Sequence, residues 1–314
     1  MMGKHSGVIF TDRPMRDEAD FWRVRSLLVE TVAITPIDFN WDVRRWDGQR
    51  FYNADLAWDP QWAARVQLWE TQAGELAGAV HPEGKGDAHL QLHPAYRHLE
   101  EELVAWAEAH LAVPTPDGRE CQLAIFVYAY DDCRQQLLAE RGYEQTPYGG
   151  VVRRLPFSQA PALPPPTIAE GYHIRTTRPD DLAECQRMAD LLNAAFGRTF
   201  HNAQEYQNFT RCAPSFVADL DLVAEAPDSS LAAYVGVPYD ETNRRGIFEP
   251  VCTHPEHRRK GLARALMVEG LRRLAARGAV DVIVGTGDMV PANRLYDAMG
   301  FTEVYRGHIW KKIF

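Results

Sequence analysis

The sequence has little of what membrane-spanning, secreted and nucleic-acid-binding proteins need. No apolar run approaches the ~20 residues that span a bilayer, and the opening segment MMGKHSGVIFTDRP has no apolar signal core. Basic residues are in deficit, since 34 Lys and Arg stand against 43 Asp and Glu and give a net charge of −9. Such a chain lacks the broad basic face that holds a phosphate backbone. We therefore expect a soluble, cytoplasmic protein that binds neither membrane nor nucleic acid.

Disulfide and metal motifs are also missing. The five cysteines are odd in number, widely spaced and without a C-x-x-C pair, which favours free thiols over disulfides or structural zinc. No histidine pairs with a carboxylate at the helical spacing of a metalloprotease. The sequence thus predicts no metal site. A cysteine nucleophile remains an alternative, although no His/Asn pattern points to a partner for it.

The chain does have the composition of a folded protein with two cores. It is 314 residues long and 46% apolar, enough for two domains. The proline-rich stretch at residues 156–171 predicts a semi-rigid linker between domains at 1–155 and 172–314. Similar element orders on both sides, aligned by His93-Pro94 with His254-Pro255 and by Gly142-Tyr143 with Gly300-Phe301, predict an internal duplication. The alternative is two unrelated α+β domains.

Apolar periodicity in the second half predicts strands and helices in alternation. A helix over residues 180–196 is expected to begin at Asp180 as its N-cap, and one over 259–277 to end at Gly278. Residues 246–253, GIFEPVCT, are expected to form one continuous strand between them.

The segment that indicates chemistry covers residues 251–266. A predicted strand ends there, the chain turns, and a helix begins with Gly261 and Ala263 at its first turn. Three cations precede them: Arg258, Arg259 and Lys260. The first N–H groups of a helix have no internal partner and lie at its positive end, and a glycine lets an anion approach them closely. This arrangement predicts a pyrophosphate site.

Two motifs resemble the hallmarks of one superfamily. The spacing Arg258-x-x-Gly261-x-Ala263 after a Val-x-Thr-x-Pro strand end resembles the acetyl-coenzyme A signature of GNAT acetyltransferases, and residues 293–301, NRLYDAMGF, resemble their second hallmark. The likeness covers residues 172–314 well and the first half in outline. It implies an α/β (α+β) fold of two tandem GNAT-like domains, each a mixed, splayed, mostly antiparallel sheet flanked by helices.

The resemblance also implies how acetyl-coenzyme A would be held. The pantetheine arm would pair with the exposed backbone at Val251, Cys252 and Thr253 as an added strand. Asn293 would orient that arm, with helix capping as its alternative. Arg258 belongs to the cradle, and the pyrophosphate would lie on the amides of Arg259, Lys260, Gly261, Leu262, Ala263 and Arg264.

Acetyl transfer to an amine needs a base, a donor to the carbonyl oxygen and an acid for the leaving thiolate. Tyr296 matches the superfamily's general acid, with a plain core tyrosine as the alternative. The backbone N–H of Cys252 or a neighbour would serve as the donor. Glu249 is the candidate base, directly or through water, and strand alternation would put it on the face of Val251 and Thr253. Its alternatives are an exposed strand glutamate and a residue that recognises substrate charge.

The first half departs from both hallmarks. The His-Pro anchor puts Glu100 opposite Gly261 and Glu102 opposite Ala263, and the Gly142 anchor puts Leu138 opposite Tyr296. Carboxylates at the helix start would repel a pyrophosphate, and a leucine donates no proton. We therefore predict that residues 1–155 form a degenerate, non-catalytic GNAT-like domain.

Two aromatic groups bear on the acceptor. Those of the first half are expected to be core, or else to cover the acceptor groove of the second domain: Phe39, Trp41, Trp46, Phe51, Tyr52, Trp58 and Trp62. Four side chains of the second half lie where the superfamily usually shapes acceptor specificity: Phe196, Phe200, His201 and Tyr206.

These patterns predict an acetyl-coenzyme A-dependent N-acetyltransferase that uses a ternary complex, direct attack and no metal. The acidic chain mildly favours a cationic small-molecule amine as acceptor, and nothing in the sequence indicates an oligomeric state. One alternative is a mycothiol-synthase-like acetyltransferase. Another is a non-catalytic acyl-coenzyme A sensor, which would need the cradle but not Tyr296.

Overall fold

The computed structural model describes residues 9–35, 39–287 and 289–314. The chain folds into two compact units that do not follow sequence order strictly. The first unit contains the described residues up to Asp42, Ala57–Gly149 and Arg306–Phe314; the second contains Val43–Leu56 and Gly150–Tyr305 apart from residue 288. The predicted boundaries put residues 43–56 in the first domain and residues 306–314 in the second. In the structure, residues 43–56 pack in the second unit and residues 306–314 in the first. The predicted roles of the two domains stay predictions.

The described elements up to residue 156 are, in chain order, β1 (Phe10–Pro14), α1 (Glu18–Ile34), α2 (Val43–Phe51), α3 (Pro60–Ala63), β2 (Gln67–Thr71), β3 (Leu76–His81), β4 (Asp87–Leu92), a 3₁₀ helix (Pro94–Leu99), α4 (Glu100–His110), β5 (Val113–Pro114), β6 (Cys121–Tyr128), α5 (Asp132–Glu140) and β7 (Glu144–Pro156). The sequence does not predict α2, α3, β1 or β5.

After a short 3₁₀ turn (Phe157–Gln159), the second half contains β8 (His173–Thr176), α6 (Leu182–Phe196), α7 (Ala203–Cys212), a 3₁₀ turn (Ala218–Leu220), β9 (Asp221–Glu225), β10 (Leu231–Gly236), β11 (Tyr239–Asp240), β12 (Arg245–Phe248), β13 (Val251–Thr253), a 3₁₀ turn (Pro255–His257), α8 (Leu262–Ala276), β14 (Asp281–Thr286), α9 (Val290–Ala298) and β15 (Glu303–Ile313). Helix α7 was not expected from the sequence.

Short polar side chains start the helices by accepting a hydrogen bond from an otherwise unpaired amide of the first turn. Asp17 does so for α1 and Asn202 for α7. At α6 the cap is Asp181, which accepts from the amide of Ala183. The predicted cap, Asp180, is therefore wrong by one residue.

In the first unit, β1 to β4 are antiparallel neighbours. Strand β4 then pairs in parallel with β6 at Asp87↔Ala124 and Ala88↔Ile125 only. The other neighbours of β6, β5 and the end of β15, are antiparallel to it. This is a mixed, mostly antiparallel sheet whose one parallel pair, among the described strands, parts after two residues.

The second unit repeats that plan. Strand β14 lies between the end of β7, which is antiparallel to it, and β12, which is parallel to it over Arg245↔Asp281 to Phe248↔Val284. A separate antiparallel sheet has the order β13-β10-β9-β8. Beyond Phe248 the chain leaves β14 and joins β10 as β13, so the two parallel strands splay. The predicted fold of two splayed, mostly antiparallel mixed sheets flanked by helices is confirmed.

The expectation of one strand over residues 246–253 is wrong. The chain forms β12 and β13 in different sheets, with Glu249 and Pro250 between them. Pro250 has no N–H to donate to a ladder, which favours a break at this point. Side-chain alternation does not continue across the break, so the argument that put Glu249 on the face of Val251 and Thr253 is also wrong.

The two anchors of the predicted duplication are structurally equivalent. His93 and His254 each start a 3₁₀ helix, and each accepts a hydrogen bond on Nδ1 from the amide two residues later. Gly142 and Gly300 follow α5 and α9 with φ of 85° and 89°, a conformation that favours glycine. The aromatic residue after each glycine is buried.

Among the described residues, no helix is long and apolar enough to cross a membrane. Over the same residues, no group of three or more His, Cys, Asp and Glu side chains is arranged to hold a metal ion.

Candidate active site

The turn before α8 exposes a run of backbone amides. Arg259 and Gly261 have φ of 62° and 72°, and alternation of left- and right-handed residues turns successive N–H groups toward one concavity. The first backbone hydrogen bond of the helix is donated by Ala265 to Gly261 O, at 3.0 Å. In the described part of the chain, the amides from Arg259 to Arg264 therefore donate to no backbone carbonyl. A Cβ built on Gly261 would meet nothing within 4 Å, so the concavity is open.

The cations of this turn are partly engaged by the protein. Arg258 donates to the carbonyl of Ala195 at the end of α6, at 3.2 Å. Lys260 donates to the hydroxyl of Tyr172 at 2.7 Å, and that hydroxyl lies 2.9 Å from His257 Nδ1. These bonds tie the turn to α6 and to the chain before β8. Their charges remain beside the amides, where they favour an anion.

The equivalent turn in the first unit is closed. Its 3₁₀ helix runs directly into α4, and the amide of Glu100 donates to Arg97 O. The Glu100 side chain is buried, with Oε1 2.5 Å from Arg134 Nε and Oε2 2.8 Å from Arg97 Nη2. The chain's own carboxylate thus takes the cationic partners that an anion would use. The exclusion of a pyrophosphate from this turn stays a prediction.

Replacing Glu100 by glutamine is expected to lower the free energy of unfolding by about 3 kcal/mol, because it removes one of the two carboxylates, Glu100 and Asp131, that neutralise Arg97 and the buried Arg134. Urea unfolding followed by circular dichroism measures this loss. Glu101→Gln, on the same turn but with a side chain 74% exposed, should change it by less than about 0.5 kcal/mol. Equal effects of the two substitutions would contradict the account of this closed turn.

Strand β13 presents two amides to the gap between the splayed strands. Gly236 donates to Pro250 O and His254 donates to Ala232 O, and Cys252 is opposite Tyr234. Since bonded pairs alternate along an antiparallel ladder, the amide of Cys252 points toward β10. The amides of Val251 and Thr253 point to the open edge. The sequence predicts that Cys252 or a neighbour donates its backbone N–H to the carbonyl oxygen of the acetyl group. Of these residues, Val251 and Thr253 are the ones whose N–H groups face the open edge.

Tyr296 lies on α9 and is 5% exposed. The centre of its ring lies 6.0 Å from that of Phe301. Burial raises the pKa of Tyr296 to about 12, with Arg153 lowering it and the charge of Glu249 raising it. The phenol is therefore protonated at neutral pH, as a proton donor must be, and it lies within electrostatic reach of the candidate base.

Asn293 tethers the start of α9. Its amide nitrogen donates to the carbonyls of Gly287 and Met289, both at 3.1 Å, and its Oδ1 accepts from Arg153 Nε at 3.0 Å. Gln135, its counterpart in the first half, makes the matching bonds to Tyr128 O and Ala129 O. The side chain of Asn293 therefore holds the loop before the helix, although the cap position itself is Met289 and carries no side-chain cap bond. Its contact with a cofactor arm stays a prediction.

Glu249 follows β12 and forms an ion pair with Arg44 of α2, with 3.0 Å between Oε1 and Nη1. Its side chain is 43% exposed and that of Arg44 is 17% exposed. The Arg44 guanidinium also lies 5.7 Å from the centre of the Phe209 ring. The candidate base is thus reachable from solvent and already has one charged partner.

A pocket inside the second unit adjoins this ion pair. Its lining includes Arg44, Tyr52, Phe209, Phe216, Tyr234 and Glu249. The Asp221 carboxylate also lines it and accepts from the hydroxyls of Thr177, Tyr206 and Tyr234 at 2.5, 2.5 and 2.7 Å. Burial raises the pKa of Asp221. The pocket therefore has aromatic walls, one salt bridge and one fully hydrogen-bonded acid.

Only some of the residues predicted to shape the acceptor site line this pocket. Tyr52, from the first half of the sequence, does line the pocket. Phe196 and Phe200 are 40% and 64% exposed, while His201 pairs with Glu205 at 2.5 Å and Tyr206 binds Asp221. Sequence reasoning missed Arg44, Phe209, Phe216, Tyr234 and Asp221. An amphipathic pattern over Ala203–Cys212 was the available signal for α7, which carries Phe209.

Neither buried cysteine is poised as a nucleophile. Burial raises the pKa of the Cys185 thiol to about 11 and that of Cys252 to about 12. A thiol needs its thiolate form to attack, so both are inert at neutral pH.

The chain is similar to known proteins in two respects, its match to a family model and its fold. Residues 185–301 match the model of the acetyltransferase (GNAT) family. No curated protein matches the sequence.

Solved structures resemble the chain over almost its whole length. A GCN5-related N-acetyltransferase from Sphaerobacter thermophilus is 20% identical with a TM-score of 0.64, covering 97% of this chain and 95% of that one. A tandem GNAT protein from the clavulanic acid biosynthesis pathway is 19% identical with a TM-score of 0.65, covering 98% of each chain. An acetyltransferase of the GNAT family from Colwellia psychrerythraea is 12% identical with a TM-score of 0.59, covering 96% of this chain and 100% of that one. At these identities the likeness establishes the fold.

Proposed function

We propose that the chain is an acetyl-coenzyme A-dependent N-acetyltransferase, because residues 185–301 match the model of the acetyltransferase (GNAT) family. Its catalytic site would lie in the second unit, and its acceptor would be a small-molecule amine. One observation carries the proposal: β12 and β14 part at Phe248 and Val284, beside both the open amides of β13 and the open turn at Gly261.

The residues present fit coenzyme A. The free amides from Arg259 to Arg264 suit a pyrophosphate, and the edge amides of Val251 and Thr253 suit the amide groups of a pantetheine arm. When bound, the cofactor supplies an activated acetyl group as a thioester. The closed turn at Glu100 supports a single such site per chain, in the second unit.

The chain's own groups would then move two protons. Glu249, or a water held by it, takes the proton from the acceptor ammonium, whose ordinary pKa is about 10.4, so that the nitrogen can attack the thioester carbon. The new C–N bond forms and the C–S bond breaks. Tyr296 gives its proton to the departing thiolate, and the second proton of the attacking nitrogen, released as the amide forms, restores the phenol. The proton taken by Glu249 passes to solvent, so that one proton is released per acetyl group transferred. The raised pKa of both buried thiols, Cys185 and Cys252, supports direct attack in a ternary complex over a cysteine-bound acetyl group.

The five cysteines are all free thiols. That state is the one maintained in a reducing compartment, which supports a cytoplasmic location for the enzyme.

The test measures thiol release from acetyl-coenzyme A with a panel of small amines. We expect release that needs both cofactor and amine, with no acetylated protein in the intact mass. Glu249→Gln should lower kcat/KM at pH 7 by about 100-fold, because it removes the proton acceptor, and should leave coenzyme A affinity unchanged. Glu241→Gln, which alters a glutamate paired with Arg277 at 2.6 Å, is the matched control and should retain full activity.

One result would count against this function, and another would count only against the role of Glu249. Tight coenzyme A binding without any turnover would favour the sensor alternative. Full activity of Glu249→Gln would remove Glu249 from the chemistry while leaving the acetyltransferase itself in place.

A further inference from the structure

We propose that the acceptor is an amino-carboxylate, whose ammonium group binds Glu249 and whose carboxylate binds Arg44. The inference rests on the proposed function and narrows its acceptor from any small amine to a zwitterion. It comes from the salt bridge between Arg44 and Glu249, which lines the pocket.

The salt bridge occupies the pocket wall beside the splayed strands. Glu249 immediately precedes Pro250 and β13, whose edge amides face the gap. Arg44 reaches it from α2, because residues 43–56 pack within the second unit. With 3.0 Å between Arg44 Nη1 and Glu249 Oε1, a single small molecule next to Glu249 also lies next to Arg44.

Charge balance then selects the acceptor. An acceptor that is only a cation would bring an ammonium to Glu249 and so place it beside the Arg44 guanidinium, a like-charge contact. It would also take Glu249 away from Arg44. A zwitterion avoids both costs, since its ammonium substitutes for the guanidinium at Glu249 while its carboxylate substitutes for Glu249 at Arg44. One ion pair becomes two, and the net charge of the pocket is unchanged.

Arginine suits this role by its shape. A planar guanidinium can bind a carboxylate through two parallel hydrogen bonds. Here the plane is supported by the Phe209 ring, 5.7 Å from the guanidinium carbon. The other acid of the pocket, Asp221, is occupied by three hydroxyl donors, so Glu249 is the carboxylate left to bind an ammonium.

The remaining walls indicate the side chain of the acceptor. Tyr52, Phe209, Phe216 and Tyr234 line the pocket with rings, which favour an apolar or aromatic substituent. The expected class is therefore a small amino acid with an apolar side chain.

The experiment compares amino acids with their decarboxylated counterparts on the protein saturated with coenzyme A, by calorimetry. The pairs are L-leucine with 3-methylbutylamine and L-phenylalanine with 2-phenylethylamine. At least one amino acid should bind about 10-fold more tightly than its partner, the discrimination expected when a buried charged group loses its counterpart. Turnover, where it occurs, should show the same preference in kcat/KM.

Variants of Arg44 assign the effect. Arg44→Gln should abolish the preference, with coenzyme A affinity unchanged, and Arg44→Lys should keep part of it because the charge remains. Arg50→Gln is the control on the same helix, since the Arg50 guanidinium lies over the Phe51 ring, and it should retain the full preference. Thermal melting checks that each variant is folded, and Arg44→Lys provides the comparison if Arg44→Gln is not.

Equal binding of both members of every pair, or no binding of either amino acid, would overturn the inference. So would an undiminished preference in Arg44→Gln. The protein is first titrated with coenzyme A alone. If coenzyme A does not bind in that titration, the proposed function itself fails, and this result is distinct from a failure of the acceptor inference.

Discussion

Replacing Gly261 by aspartate is expected to weaken coenzyme A binding by about 100-fold or more. The carboxylate would stand over the open amides of residues 259–264, a few ångströms from the pyrophosphate. Two like charges at such a distance near a protein surface repel by about 3 kcal/mol or more, and each 1.4 kcal/mol corresponds to about tenfold in affinity. Isothermal titration calorimetry measures the loss directly.

The matched control is Gly261→Asn. Asparagine and aspartate have the same shape, and both tolerate the φ of 72° at this position better than other side chains. The open space around the built Cβ accommodates either residue. The asparagine variant should therefore lose only a few-fold, about the cost of added bulk. Equal losses in the two variants would show that shape rather than charge governs this turn.

The Tyr296→Phe variant is expected to lower kcat by about 100-fold to 10,000-fold, the usual contribution of a general acid. Coenzyme A affinity should stay close to wild type, because the substitution removes only a hydroxyl group. Tyr305→Phe is the matched control, since it removes a hydroxyl that donates to Glu303 at 2.9 Å. A loss of cofactor affinity in step with kcat would instead support the core-tyrosine interpretation.

The pKa of Tyr296 fixes the sign of its pH dependence. Because burial raises that pKa to about 12, the phenol keeps its proton throughout the neutral and mildly alkaline range. Activity should rise with pH as the acceptor amine loses its proton, and ionisation of Tyr296 should cause no decline below about pH 11. A decline between pH 8 and 10 that Tyr296→Phe abolishes would show that the acid has a much lower pKa.

Local patterns were the part of the molecule that the sequence could predict. The His-Pro anchors and the glycines after α5, after α9 and at position 261 each depend on contacts within a few residues, and each has a conformation that its residues favour. The place of Glu100 at the equivalent turn of the first half was predicted for the same reason. The pairing of Glu100 with Arg134 could not be predicted, because the two residues are 34 positions apart. The positive φ of Arg259 beside Gly261 is not one that the sequence predicts.

Contacts between distant segments were the part that it could not predict. Arg44 and Glu249 are 205 positions apart, and nothing in the pattern of either segment indicates that α2 packs in the second unit. The break between β12 and β13 was missed because the apolar run continues on both sides of Glu249 and Pro250. The bonds of Asn293 were not predicted because they go to carbonyls of a loop whose path the sequence does not specify.

The stoichiometry of coenzyme A binding to the wild-type chain tests the central claim most directly. The turn at Gly261 has open amides and its counterpart is closed by Glu100, so calorimetry should find one equivalent of coenzyme A per chain. No binding, or two equivalents per chain, would contradict the account.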